Sequence, residues 1–218
     1  VGPSGSGKST IARLIAALWD VDSGEITFGG VNIKDMSWDD YNTKIAYVAQ
    51  DNYLFNRSVM DNIRMGRKGA SDEDVIEAAK RCGCHDFIMG LEKGYDTIVG
   101  DAGGHLSGGE RQRVSIARSV ARQPKILIAD EPTGNLDVLT SKEIIDLLQK
   151  INDYGTTVLV TTHDASIVNL LKKRVITMKD GKIVSDQKEH GIYRLDTDND
   201  GISDLPQPGH MRPTSYLY

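Results

Sequence analysis

Cysteine is nearly absent from this sequence: Cys82 and Cys84 are the only two in 218 residues. Thiols separated by one residue cannot staple a chain of this length, so a reducing, cytosolic setting is expected rather than a disulfide-framed scaffold. The Cys82-Gly83-Cys84-His85 cluster lacks a second ligand pair and falls at the end of an amphipathic helical pattern, so packing rather than metal binding is expected of it. No apolar run approaches the roughly 18–20 residues that span a bilayer, and no signal peptide is visible. Clustered basic residues are missing as well, and the net charge is -5, from 26 basic against 31 acidic side chains. Nucleic acid and anionic membrane surfaces are held by clustered positive charge, so neither is expected as the main partner. There is no internal repeat.

What is present is enough chain for one α/β domain with a substantial core, 39% of it hydrophobic. Apolar β-like runs alternate with helical patterns, the signature of a parallel sheet covered by helices. A helix is predicted over Thr10 to Trp19, after a glycine-rich turn. Glu25 to Phe28 and Val31 to Ile33 flank Gly29-Gly30 as a hairpin, and Lys44 to Ala49 is a short β run. From about 53 to 120 the pattern is mostly helical. Ser71 to Asp74 opens a capping box ahead of Val75, Ile76, Ala78, Ala79 and Cys82, and a short helix follows around His85 to Leu91. No strand is expected in it until Thr97 to Val99, before a helix over Arg111 to Val120. Strands are then predicted at Ile126 to Ala129 and Thr156 to Thr161, on either side of an amphipathic helix over Leu139 to Ile151. A last hairpin crosses Asp180-Gly181 between Arg174 to Met178 and Lys182 to Val184.

Chemistry concentrates at the strand ends. Gly2-Pro3-Ser4-Gly5-Ser6-Gly7-Lys8-Ser9 fits the GxxxxGK[ST] phosphate loop, with Thr10 next to it. Its glycines let successive amides turn inward around a β-phosphate while a helix beginning near Lys8 aims its positive end at the same group. Lys8 supplies a movable charge to the β/γ oxygens, and Ser9 a hard oxygen ligand for Mg²⁺. Ile126 to Glu131 is an apolar strand that ends in two carboxylates, beside the loop in an open α/β sheet. Asp130 suits Mg²⁺, directly or through a water, and Glu131 suits polarising an attacking water. Gln50 and His163 directly follow two further predicted strands, so Gln50 could reach the metal or the water and His163 the γ-phosphate. Leu106-Ser107-Gly108-Gly109-Glu110 presents a second set of Ser and Gly amides at a helix start, a second anion cradle. A single nucleotide needs only one, so the other is expected to serve the nucleotide of another subunit.

These motifs, in this order, resemble the nucleotide-binding domain of ATP-binding cassette (ABC) proteins over roughly residues 1 to 187. By position, Gly2 to Ser9 corresponds to the Walker A loop, Gln50 to the Q-loop and Leu106 to Glu110 to the signature. Asp130 and Glu131 match the Walker B acids, Asn135-Leu136-Asp137 the D-loop, and His163 the switch histidine. The resemblance implies an α/β P-loop NTPase with a mostly parallel central sheet and a small helical signature subdomain at about 53 to 120. It also implies Mg-ATP binding by Gly2 to Thr10, Ser107, Gly108, Gly109 and Asp137, with Ser9, Gln50 and Asp130 at the metal. ATP hydrolysis would occur in a head-to-tail dimer with a second ABC ATPase domain, identical or different. Transmembrane transporter domains would hold that dimer at the cytoplasmic face of the inner membrane. The other readings left open are a regulatory or cell-division ABC ATPase, and a nucleotide-binding fragment without turnover. A DNA-repair or chromosome-organising ABC ATPase would carry coiled coils or zinc modules between Walker A and signature, where this chain has a short helical stretch.

The sequence departs from the family in three ways. The strands and the adenine-stacking aromatic that the family carries ahead of the Walker A loop are not in it, and Val1 already belongs to the motif. The start therefore reads as a cut, and an unpaired apolar sheet edge is expected. Tyr47 to Gln50 through Gly100 to Gly103 looks like ABC exporters, whereas Asp130 to Asp137 through Asp180-Gly181 looks like lipoprotein-release and cell-division subunits, leaving a chimeric, recombined or designed origin open. Residues 188 to 218 form an acidic, proline-containing stretch expected to be disordered. Within it Asp196, Asp198, Asp200, Gly201 and Asp204 resemble a calcium loop, but Gln207 stands where an EF-hand needs Glu.

Overall fold

The computed structural model describes residues 1–193. The Asp196 to Asp204 stretch lies outside the described residues.

The central layer is a parallel sheet of β3 (Ile45–Val48), β4 (Ile126–Asp130) and β5 (Thr157–Thr161), in that order across the sheet. Tyr47 stands opposite Ile128, and Asp130 opposite Thr161. Side chains alternate between the faces of a strand, so this register places Tyr47, Ile128 and Asp130 on one face. The other face carries Val48, Leu127 and Ala129, which enter the larger core. Two antiparallel pairs flank the sheet. The first is β1 (Thr27–Phe28) with β2 (Val31–Asn32), the second β6 (Val175–Lys179) with β7 (Lys182–Gln187). Their turns have the sequence they require: Gly29, Gly30, Asp180 and Gly181 all have positive φ, as a two-residue hairpin demands. β5 is the last strand of this sheet among the described residues, and its Val158, Leu159 and Val160 are only half-buried.

On the Tyr47 face lies α1 (Lys8–Ile15), which packs Ala12 and Ile15 against Ile45, Ile128 and Leu159. It is shorter than the predicted helix. Ala17 takes φ 53 and Leu18 and Trp19 sit in the turn that follows, so the apolar spacing outruns the helix. Tyr41, on α2 (Trp38–Lys44), donates its hydroxyl to the Ile15 carbonyl at 2.6 Å and seals that end.

The other face supports the helical part: α3 (Val59–Arg64), α4 (Asp72–Arg81), α5 (His85–Met89) and α6 (Gly108–Val120). α4 forms because Ser71 and Asp74 make a reciprocal capping box, acids occupy its first turn and bases its last, and Val75, Ala78 and Ala79 fall on one buried stripe. Ile63, Val75, Ile88, Val114 and Ile116 are fully buried in one continuous core with Leu127 and Ile144; each such side chain contributes about 1.5–3 kcal/mol. Cys82 and Cys84 lie in the same core, and burial pushes the Cys82 thiol well up. Among the described residues no group of three or more His, Cys, Asp or Glu is placed to hold a metal ion. The predicted strand over Thr97 to Val99 is reduced to a single bridge between Ile98 and Ser58. The helix predicted from Arg111 begins at Gly108, because Ser107 and Glu110 cap it one turn earlier.

Two further helices complete the chain, α7 (Val138–Asp153) and α8 (Ala165–Leu171). Packing continues beyond Gln187. Tyr193 is buried against Val168 and Val175, and its backbone bonds both ends of the Asn169 amide. No helix among the described residues is long and apolar enough to cross a membrane.

Candidate functional site

The loop before α1 is shaped by β6 and β7. Met178 donates to the Val1 carbonyl at 2.8 Å, and Gly181 donates to the Ser6 carbonyl at 3.1 Å. The loop lies so close to β6 that a Cβ on Gly2 would come within 2.3 Å of the Met178 carbonyl oxygen. Gly7, the residue before the helix, is left-handed at φ 96, and no side chain caps α1. The first-turn amides therefore face outward with their partial positive charge, which is what a phosphate requires. Thr10 is exposed on the first turn. Ser6 is buried and its hydroxyl has no hydrogen-bond partner among the described residues.

Lys8 is folded back over this loop. Its Nζ donates to the carbonyls of Gly2 at 2.9 Å and Pro3 at 3.0 Å and lies 3.5 Å from Glu131 Oε1. The Lys8 side chain is 7% exposed, so these partners satisfy a nearly buried charge. Glu131 itself has φ 48, an uncommon conformation for a side-chain-bearing residue. Its amide donates to the Thr161 carbonyl and to Thr161 Oγ1, both at 3.1 Å, which turns the carboxylate away from β4 and toward the loop. Its second oxygen lies 3.0 Å from His163 Nδ1.

Asp130 ends β4 almost fully buried, 2% exposed. Oδ1 accepts from Ser9 Oγ at 2.9 Å and from Thr161 Oγ1; Oδ2 accepts from Tyr47 Oη at 2.8 Å. Burial, and then the bond to Asp130, push the Tyr47 hydroxyl up, while Arg13 opposes. Tyr47 thus remains a neutral donor. Ser9 Oγ and Asp130 Oδ1 form an adjacent pair of hard oxygens beside the phosphate cradle, a donor set that fits Mg²⁺ completed by phosphate and water.

Lys8, Ser9, Asp130, Glu131 and His163 are therefore joined by direct contacts. Gln50 is exposed at the rim, where a Cβ on Gly134 would come within 3.5 Å of its Nε2. Ser107, Gly108 and Gly109 stand apart: among the described residues no hydrogen bond joins them to Gly2–Ser9. They face the segment before α7 instead. A Cβ on Gly108 would lie 3.2 Å from Leu136 Cδ2, and one on Gly109 only 2.3 Å from Thr140 Cγ2. Asp137 caps α7, accepting from the Thr140 hydroxyl at 2.6 Å and amide at 3.0 Å, and these bonds hold its carboxyl below the usual range. Val138 and Leu139 beside it are among the most exposed apolar side chains.

Sequence reasoning missed Tyr47 and Thr161. Each lies on a strand next to β4 and points to the Asp130 face, but only the register of the sheet shows it. The available signal was the odd-even spacing of Ile45, Tyr47 and Ala49.

Residues 1–134 match the family described as ABC transporter. The chain is 40% identical over 200 residues to the uncharacterized ABC transporter ATP-binding protein y4gM of Sinorhizobium fredii, covering 89% of this chain and 34% of that protein. It is 46% identical over 194 residues to a Staphylococcus aureus protein named as a multidrug export ATP-binding/permease protein, covering 89% and 32%. Among solved structures, a bacterial Atm1-family ABC exporter with ATP bound superposes with a TM-score of 0.77 at 37% identity, over 86% of this chain and 32% of that one. The chain spans about a third of the length of these relatives. Because the alignments cover 89% of the chain, the exporter likeness extends well past the signature into its second half.

Proposed function

Because the chain belongs to the ABC transporter family, we propose that it binds Mg-ATP on Gly2–Thr10 and hydrolyses it as one half of a head-to-tail dimer that drives export. The observation that carries this reading is the contact chain from Lys8 through Glu131 to His163, with Ser9 and Asp130 paired beside it. An arriving triphosphate offers Lys8 a stronger partner than the Gly2 and Pro3 carbonyls, and Glu131 is then released to accept a proton from water. His163 orients the Glu131 carboxylate from the open side of the site. Ser9 and Asp130, with Gln50 at the rim, would hold Mg²⁺, whose charge offsets that of the β and γ oxygens. Among the described residues the Ser107 hydroxyl and the Gly108 and Gly109 amides make no hydrogen bond to Gly2–Ser9. A partner's nucleotide is the anion they suit, and exposed Asp137, Val138 and Leu139 suit the same contact.

The partner is a second ABC ATPase domain, and the transmembrane domains of an exporter would hold the pair at the cytoplasmic face of the membrane. Glu131→Gln removes the base while keeping the side chain's size. The variant is expected to release no phosphate and to elute as a dimer on gel filtration with Mg-ATP. A persistent monomer would remove the dimer mechanism, and undiminished turnover would remove Glu131 as base.

A further inference from the structure

We propose that Tyr47 is a positioning residue that sets the magnesium requirement of the site by fixing the orientation of the Asp130 carboxylate. This rests on the reading of Ser9 and Asp130 as a metal site. A carboxylate at a strand end can turn about its side-chain torsions, and which lone pairs it shows to a cation depends on what holds its oxygens. Three elements hold this one. Ser9 reaches Oδ1 from α1, Thr161 reaches the same oxygen from β5, and Tyr47 reaches Oδ2 from β3.

The three bonds are not equivalent. Ser9 would present a lone pair to the metal while its one hydrogen still points to Oδ1, so its oxygen is shared between the two. Thr161 Oγ1 holds the same oxygen as Ser9, and it also accepts the Glu131 amide at 3.1 Å. Among the described residues Tyr47 is the only group bonded to Oδ2, so it decides where that oxygen points. Its ring is wedged among the apolar side chains between the sheet and α1, in the cluster that contains Ala12 and Ile128. Packing against that cluster and the bonds the hydroxyl makes fix its position together. Parallel register does the rest: Tyr47 is paired with Ile128, which makes Asp130 its diagonal neighbour on the same face.

The test is nucleotide affinity measured with a fluorescent ATP analogue on the full 218-residue chain, in EDTA and across a magnesium titration. Tyr47→Phe keeps the ring and removes only the hydroxyl. It is expected to leave the EDTA affinity unchanged and to raise the half-saturating magnesium concentration about tenfold to a hundredfold, as losing one hydrogen bond to a charged acceptor implies. Replacing Tyr47 with 4-aminophenylalanine, which puts an N–H donor on the same ring, should restore the requirement. An unaltered magnesium requirement in Tyr47→Phe overturns the proposal, and so does an equal loss of affinity with and without magnesium, which would mark a merely structural role. Asp130→Asn separates the two levels of the argument. If it too leaves the magnesium requirement unchanged, the metal site itself is misassigned; if it raises the requirement while Tyr47→Phe does not, only the tyrosine's role fails.

Discussion

At the head of α1 the glycine turn leans on distant chain: Met178 and Gly181 of the β6–β7 hairpin bond its backbone, and Glu131 holds its lysine. At the head of α6 the corresponding turn is self-sufficient. Ser107 accepts the Glu110 amide at 3.3 Å, and the Glu110 carboxylate accepts the Ser107 amide at 2.7 Å, all within one helical turn. The first cradle is therefore held in shape by distant chain, whereas the second is complete within its own turn. The difference teaches where each can be damaged. The first depends on tertiary contacts and loses chemistry when one is removed. The second depends on local capping and on the α7 segment beside it, so it loses stability or fit.

The largest expected effect is at the first cradle. Lys8→Ala removes the only ammonium among the phosphate-loop residues and should weaken nucleotide binding about a hundredfold, from the loss of charge-assisted bonds of roughly 1.5–3 kcal/mol each. Unchanged affinity by calorimetry would erase the contrast between the two turns. Next comes the second cradle. Gly109→Ala places a methyl 2.3 Å from Thr140 Cγ2, and Thr140 is β-branched and bonded to Asp137, so it cannot swing aside freely. Overpacking of this kind costs about 1–3 kcal/mol. Urea unfolding should show a lowered midpoint in this variant, while nucleotide affinity of the isolated chain stays as it was.

The smallest effect lies deeper in the helical part, away from both cradles. Burial pushes the Tyr95 hydroxyl up to about 12, and His85 Nδ1 lies 3.0 Å from it. The folded value is raised above the ordinary 10, so its stabilisation is complete below about pH 10 and is lost as pH rises through about 12. Denaturation measured across that window should show the decline in the native chain and a flatter profile in Tyr95→Phe. Equal slopes would show that burial in the helical part does not raise this hydroxyl.

The helices with local punctuation were legible. Ser71 with Asp74, and Ser107 with Glu110, announce their own starts, and Gly29-Gly30 and Asp180-Gly181 announce hairpins. Elements whose cause is remote were not: α8 begins at a capping Asp164 that looks like any acid after a strand. The predicted strand over Thr97 to Val99 shrinks to one bridge because it finds only Ser58 to pair with.

The sequence by itself determined the kind of chemistry. A phosphate loop, an apolar strand ending in Asp130-Glu131, and a second Ser-Gly-Gly helix start are local patterns, and the amide geometry they impose is local as well. Only the tertiary structure decided which residues restrain that chemistry. That Lys8 rests on Gly2, Pro3 and Glu131, that His163 meets Glu131, and that Tyr47 and Thr161 bracket Asp130 all follow from the register of β3, β4 and β5 and from the docking of α1. Sheet register is fixed by packing across long stretches of chain, and no single segment carries it.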